Sequence, residues 1–339
     1  MSNDWQWHQG WSSGPTFEAH GQANLGLLHQ RFTLDWIQKY IHLFGGDPAH
    51  ITILAESAVA GSVLAYLTSY AGGRDPLPFS KAILQSPWIL PFPDRRQQED
   101  LFQSVLRAAN VTSFVALQRV SSQALMEVNN VVGTRAAYST FAFEPVINGD
   151  TGYLPGPPGV LLQEGLFYLS VQLMVSYNLN KGISFASPIV TDSSTFKAFI
   201  TDLFLEGLLS TVDRIATTLY LQPTPNGAAD VNSTAAYATQ PERVAAAYGD
   251  LVIRCNAMHL LNAYPWNSYA RVSVPPGWHS NDEPYTFYEA DSSSSSKLIQ
   301  RWLRHCRAIS PTLLFMVILT KSAYLGSVRT IGLLQLSRS

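Results

Sequence analysis

The 339-residue chain is 46% hydrophobic and 12% aromatic, enough to bury a substantial core in one large α/β domain or two small ones. Its 22 Lys and Arg nearly balance 24 Asp and Glu, for a formal net charge of −2, which provides no electrostatic footprint for phosphate backbones or acidic lipid and argues against nucleic acid as a partner. Two cysteines cannot build a disulfide framework, and no internal repeat stands out.

Along the chain, Met1 to Trp7 lacks a basic region followed by an apolar core, so no signal peptide is expected in this chain. The sequons at Asn110 and Asn232 bear only on a secreted protein, and the compartment stays undecided. Leu34, Ile37, Tyr40, Ile41 and Phe44 recur at helical spacing and predict a helix over 30–43, ended by Gly45-Gly46-Asp47-Pro48. A β-branched run, Ile51 to Leu54, follows as a strand and leads through Ala55-Glu56-Ser57-Ala58-Val59-Ala60-Gly61 into a helical stretch. Further buried strands are expected at 82–84, 171–175 and 269–274, with helices over 101–109, 196–209, 241–263 and 297–305. Strands alternating with amphipathic helices make an α/β arrangement. Loop clusters at Arg74 to Pro78, Leu154 to Gly159 and Gln222 to Gly227 join elements without separating domains, and Ser292 to Ser296 reads as a flexible link. The apolar run Pro311 to Leu319 is cut by Lys321, short of the roughly 20 residues needed to span a bilayer, so no membrane span is expected.

The chemistry concentrates at Ser57. A serine at a tight strand-to-helix turn projects its hydroxyl above a sheet edge, while the backbone N–H of Ala58 faces a developing oxyanion. The competing reading is a plain helix N-cap. Both glycines of the G-x-S-x-G pattern are replaced, by Ala55 and Val59, and Val59 is expected to overpack the turn, at a cost of about 1–3 kcal/mol.

The flanking segments carry a resemblance. Asn24 to Arg31, Trp36-Ile37-Gln38 and Phe44 to Pro48 precede the strand. Lys81 to Ser86, Phe143 to Gly149 and Pro276 to Tyr285 follow it, in one consistent order. Together they resemble the type-B carboxylesterase family, with the closest likeness to fungal members. The likeness spans 14–305 and leaves 1–13 as a start and 306–339 as an apolar tail outside the family pattern. It implies an α/β-hydrolase fold, expected to be incomplete at the amino-terminal side of the sheet, because relatives begin well upstream with the first strands and a glycine-rich oxyanion loop. It also implies an apolar ester substrate, an acyl-serine intermediate, and neither metal nor organic cofactor.

Carried over residue by residue, the resemblance makes Ser57 the nucleophile and His279, after the last strand, the base, with Ser280 in place of the usual glycine. His42, His50 and His259 read as ordinary helix or loop residues, and His29 stands where relatives usually carry aspartate. The triad acid breaks the pattern: Lys181 occupies its position in Ser176 to Gly182. A lysine ~4 Å from the imidazole, at an effective dielectric of ~20, opposes the imidazolium by about 4 kcal/mol. Of the carboxylates nearest in sequence terms, Asp192 offers no clear rescue, Glu56 is expected to point away from the triad, and Asp282 matches a structural acid. Cys255 stands where relatives often carry a disulfide cysteine. Its family partner would lie near Ala116, so a buried free thiol is expected.

Three readings result: a weak or impaired carboxylic ester hydrolase, a non-catalytic binding or scaffold relative, and a truncated or misassembled product.

Overall fold

A computed structural model describes residues 8–74, 76–204, 209–223, 237–274 and 276–286. The helix expected over 297–305, the serine-rich link, Cys306, the apolar tail and the sequon at Asn232 lie outside the described residues. Among the described residues, no helix is long and apolar enough to cross a membrane.

Four parallel strands form one sheet in the order β1 (Thr52–Glu56), β2 (Lys81–Gln85), β3 (Gln172–Asn178) and β4 (Ser268–Ser273). Each falls within a few residues of an expected strand, because β-branched and aromatic residues there meet buried faces. Ala55, Leu84 and Val175 align across the sheet and are buried against the helices Ser57–Leu67 and Cys255–Ala263. On the opposite face the row Leu54, Ile83, Met174 and Tyr269 is only partly covered.

The helices run beyond or short of the apolar pattern for identifiable reasons. The helix expected at Leu101 starts at Arg95, because Asp94 and Gln97 form a reciprocal capping box that apolar periodicity does not register. The next expected helix begins at Ser193 by the same device at Asp192 and ends at Leu203. The long helix expected over 241–263 is interrupted: Gln240–Gly249 and Cys255–Ala263 are separated by a wider π turn, Asp250–Arg254. Cys255, the residue that follows the π turn, is exposed, so the buried thiol expected there is corrected to an exposed one.

A second core packs the helices Ser193–Leu203 and Gln240–Gly249 beyond the sheet. Arg243 is fully buried in it, its guanidinium donating to the carbonyls of Tyr220 at 3.0 Å and Ala216 at 2.7 Å and lying 3.9 Å above the Phe196 ring. The charge is tolerated because its donors are engaged and a π face covers it.

Candidate active site

Each strand of the parallel sheet leads to a polar side chain of the candidate site at or beyond its carboxyl end. Ser57 follows β1, Gln85 ends β2, Lys181 lies three residues after β3, and His279 comes off the loop after β4. The carboxyl edge of such a sheet is where side chains from separate strands converge.

Ser57 opens the helix Ser57–Leu67 with φ +58°, directly after extended Glu56. A left-handed backbone at a non-glycine residue costs about 1–3 kcal/mol, and here the surroundings hold it. Trp88 donates its backbone N–H to the Ser57 carbonyl at 3.1 Å, clamping the elbow to the loop after β2. The glycine that close packing requires is Gly61, where a Cβ would run into the carbonyl oxygen of Trp88. Val59 instead is 44% exposed, so the expected overpacking is corrected: its side chain faces outward rather than into the turn. Ala58 lies in the first helical turn, where backbone N–H groups have no intrahelical acceptor and stay available to an anion.

His279 Nε2 sits 2.7 Å from Ser57 Oγ, across 222 residues of sequence. Phe185 packs its ring against the imidazole at 5.1 Å, and the ring is largely withdrawn from solvent. Burial, its largest influence, pushes the His279 pKa down to about 4; the nearby Asp282 carboxylate opposes that shift and the Lys181 ammonium adds to it. Nδ1 is buried without a hydrogen-bond partner among the described residues. That nitrogen is where an orienting carboxylate would bind.

Lys181 is buried, with its ammonium directed to Asp250 Oδ1 at 3.7 Å and lying 4.9 Å over the Tyr177 ring. Burial drops its pKa to about 8, Asp250 working against the drop and Arg254 with it. The cation therefore acts on His279 through its field, while its ion pair lies elsewhere.

Glu56 departs most from expectation. Its carboxylate was expected to face away from the catalytic side, yet Oε1 lies 3.3 Å from His279 Nε2. The Ser280 hydroxyl donates to the same oxygen at 3.1 Å from a left-handed backbone, φ +62°, a conformation that glycine takes up most readily. Burial pushes the Glu56 pKa up to about 7; the Ser280 hydrogen bond resists, and Glu283 and Asp282 push further upward. Strand alternation sends the side chain of a strand's last residue to a definite face only while the strand continues. The left-handed turn at Ser57 breaks the alternation, so sequence reasoning missed the contact.

Asp282 has the structural role expected of it. Fully buried, it accepts from Gln85 Nε2 at 3.0 Å and Asn178 Nδ2 at 2.9 Å, tying the His279 loop to the ends of β2 and β3. Asp192 caps a helix. Among the described residues, no group of three or more His, Cys, Asp or Glu side chains is placed to hold a metal ion.

Comparison with known proteins places this geometry in context. A model of the carboxylesterase family matches residues 10–301. The chain is 36% identical over 282 residues to carboxylesterase patB of Aspergillus clavatus, covering 82% of this chain and 49% of that protein. With carboxylesterase patB of Penicillium expansum it shares 33% over 290 residues, covering 85% and 50%. It thus spans about half the length of these curated relatives. Among solved structures, Aspergillus niger EstA superimposes with a TM-score of 0.71 at 23% identity over 88% of this chain and 59% of that one, which shows the α/β-hydrolase fold.

Proposed function

The chain belongs to the carboxylesterase family, and from that membership we propose that it hydrolyses carboxylic esters through an acyl-Ser57 intermediate. The observation that carries this reading is the 2.7 Å approach of His279 Nε2 to Ser57 Oγ at a left-handed strand-to-helix turn. An N-capping serine uses its hydroxyl to accept from a backbone N–H two or three residues on. Glu56, not Ser57, stands at the cap position here, and the Ser57 hydroxyl faces an imidazole.

In this mechanism Nε2 takes the hydroxyl proton as Oγ attacks the ester carbonyl, and the N–H of Ala58 meets the oxyanion at the helix terminus. Collapse releases the alcohol and leaves the acyl enzyme, which water then hydrolyses by the same route in reverse. An apolar ester of moderate size is the proposed substrate class. His279 and Ser57 need no metal or organic cofactor for these steps.

The second reading, a non-catalytic relative, is favoured by two observations: Lys181, at the expected acid position, faces Asp250, and Nδ1 of His279 has no hydrogen-bond partner among the described residues. A fluorophosphonate probe separates the two. Under the esterase reading the folded protein is labelled at Ser57, Ser57→Ala abolishes labelling, and p-nitrophenyl butyrate is turned over with the same dependence. A folded sample that neither labels nor turns over the ester supports the scaffold reading.

A further inference from the structure

We propose that Glu56 is a catalytic residue, the seat that receives the Ser57 proton by way of His279 Nε2. This rests on the esterase reading and goes beyond it, because it moves the proton to a carboxylate on the serine side of the ring.

The geometry leaves few alternatives. Among the described residues, Glu56 is the carboxylate within ion-pair distance of the imidazole, at 3.3 Å. Asp282 is committed to the amides of Gln85 and Asn178, Asp250 faces Lys181 and Arg254, each at 3.7 Å, and Asp192 caps a helix. Among the described residues Nδ1 has no acceptor to steady an imidazolium, and the Lys181 charge disfavours one further. Ser280 holds Glu56 Oε1 against the ring rather than letting it turn to solvent. The groups facing Glu56 are the His279 imidazole at 3.3 Å, the carboxylates of Glu283 and Asp282 and the hydroxyl of Ser280. Burial is the largest influence on both members of the pair and favours the neutral form of each: it pushes the Glu56 pKa up to about 7 and the His279 pKa down to about 4. A neutral carboxyl beside a neutral imidazole is thus the arrangement that this environment favours.

The step balances. Neutral His279, with its own proton on Nδ1, accepts the Ser57 proton at Nε2 as the Oγ–C bond forms, and Nε2–H passes it to Glu56 Oε1. When the tetrahedral intermediate collapses, the C–O bond to the leaving alcohol breaks and the departing oxygen takes that proton back from Glu56 through Nε2. Deacylation repeats the sequence with water in place of Ser57. Glu56 must be ionised to receive, so reactivity rises with pH through its titration.

The test is the pH dependence of fluorophosphonate labelling at Ser57 in the parent, Glu56→Gln and Ser280→Ala proteins. The parent rate is expected to rise with a midpoint near pH 7. Glu56→Gln keeps an acceptor for the Ser280 hydroxyl but has no seat for the proton. Its rate at pH 8 is expected to fall about a hundredfold, with the midpoint near 7 abolished. Ser280→Ala, a mild change with little risk to folding, removes a hydrogen bond to ionised Glu56 and is expected to move the midpoint upward. A Glu56→Gln rate within about threefold of the parent, or a midpoint that neither substitution moves, overturns the proposal while leaving the esterase reading intact. A folded parent that does not label at Ser57 overturns both.

Discussion

Asp282 and Asn178 meet through a buried 2.9 Å hydrogen bond, and Asn178 also donates to the Trp278 carbonyl at 2.7 Å, so the end of β3 holds the residues on both sides of His279. Among the described residues, His279 is thus positioned through the backbone on either side of it, while its Nδ1 has no hydrogen-bond partner. A loop fixed on either side keeps the ring over Ser57.

Asp282→Ala removes one buried acceptor from each of the amides of Gln85 and Asn178, which keep Thr286 Oγ1 and the Trp278 carbonyl. The expected cost is on the order of 2–4 kcal/mol of unfolding free energy, measured by urea denaturation. Fluorophosphonate labelling should slow in the folded fraction, because His279 loses its anchorage; an unchanged rate would show that the loop is held by other contacts.

Lys181→Met removes the buried cation that disfavours charge on His279, while Arg254 still faces Asp250 at 3.7 Å. Each unit regained in the imidazole pKa is worth about 1.4 kcal/mol, a factor of ~10 in the proton-accepting step. Turnover of p-nitrophenyl butyrate should rise, and rise further in Lys181→Glu if the new carboxylate reaches Nδ1. A fall in both variants would mean that Lys181 supports the site rather than opposes it.

Stability should vary with pH in a pattern set by three buried groups. His279, lowered from 6.5 to about 4, is neutral in the fold while the unfolded chain is protonated, so its contribution rises as pH climbs from about 4 to 6.5. Glu56, raised from 4.5 to about 7, has the opposite sign: the fold holds the extra proton, and stability falls as pH climbs from 4.5 to about 7. The two nearly cancel in the parent, and Glu56→Gln exposes a His279 slope of about 3 kcal/mol across that window. Lys181, lowered from 10.5 to about 8, makes stability rise from about pH 8 toward 10.5. Denaturant melts at stepped pH in the parent, Glu56→Gln and Lys181→Met proteins resolve each part.

Gly61→Ala drives a methyl group into the Trp88 carbonyl. The clash should cost about 1–3 kcal/mol and shift the elbow, lowering both the melting temperature and the labelling rate at Ser57. Val59→Gly, which restores the usual pattern at an outward-facing position, should leave labelling nearly unchanged. A large gain from Val59→Gly would contradict the exposure seen at that residue.

Much of this site was legible before the fold was known, and the misses share a physical cause. The approach of Ser57 to His279 was legible because the motifs that carry the family resemblance are local to each residue. Glu56 was misplaced because its direction depends on a single left-handed residue beside it. Val59 was misread because a missing glycine says nothing about which side of the turn its replacement faces, whereas Gly61 shows its role only when the Trp88 carbonyl lies against it. The π turn at Asp250–Arg254 left no trace in apolar spacing, yet Asp250, at its start, faces Lys181, and Cys255, just after it, is exposed. Helix starts at Asp94 and Asp192 lay in polar residues that an apolar pattern passes over.

Gly182 packs so tightly against the helix Gln240–Gly249 that a Cβ there would overlap the Ala245 carbonyl oxygen, and Gly249, one turn further along the same helix, lies against the same segment. The main chain at position 181 is therefore pinned by its neighbour, whichever side chain it bears. A substitution at that one position changes the charge felt by the His279 imidazole on a backbone that its neighbours keep in place.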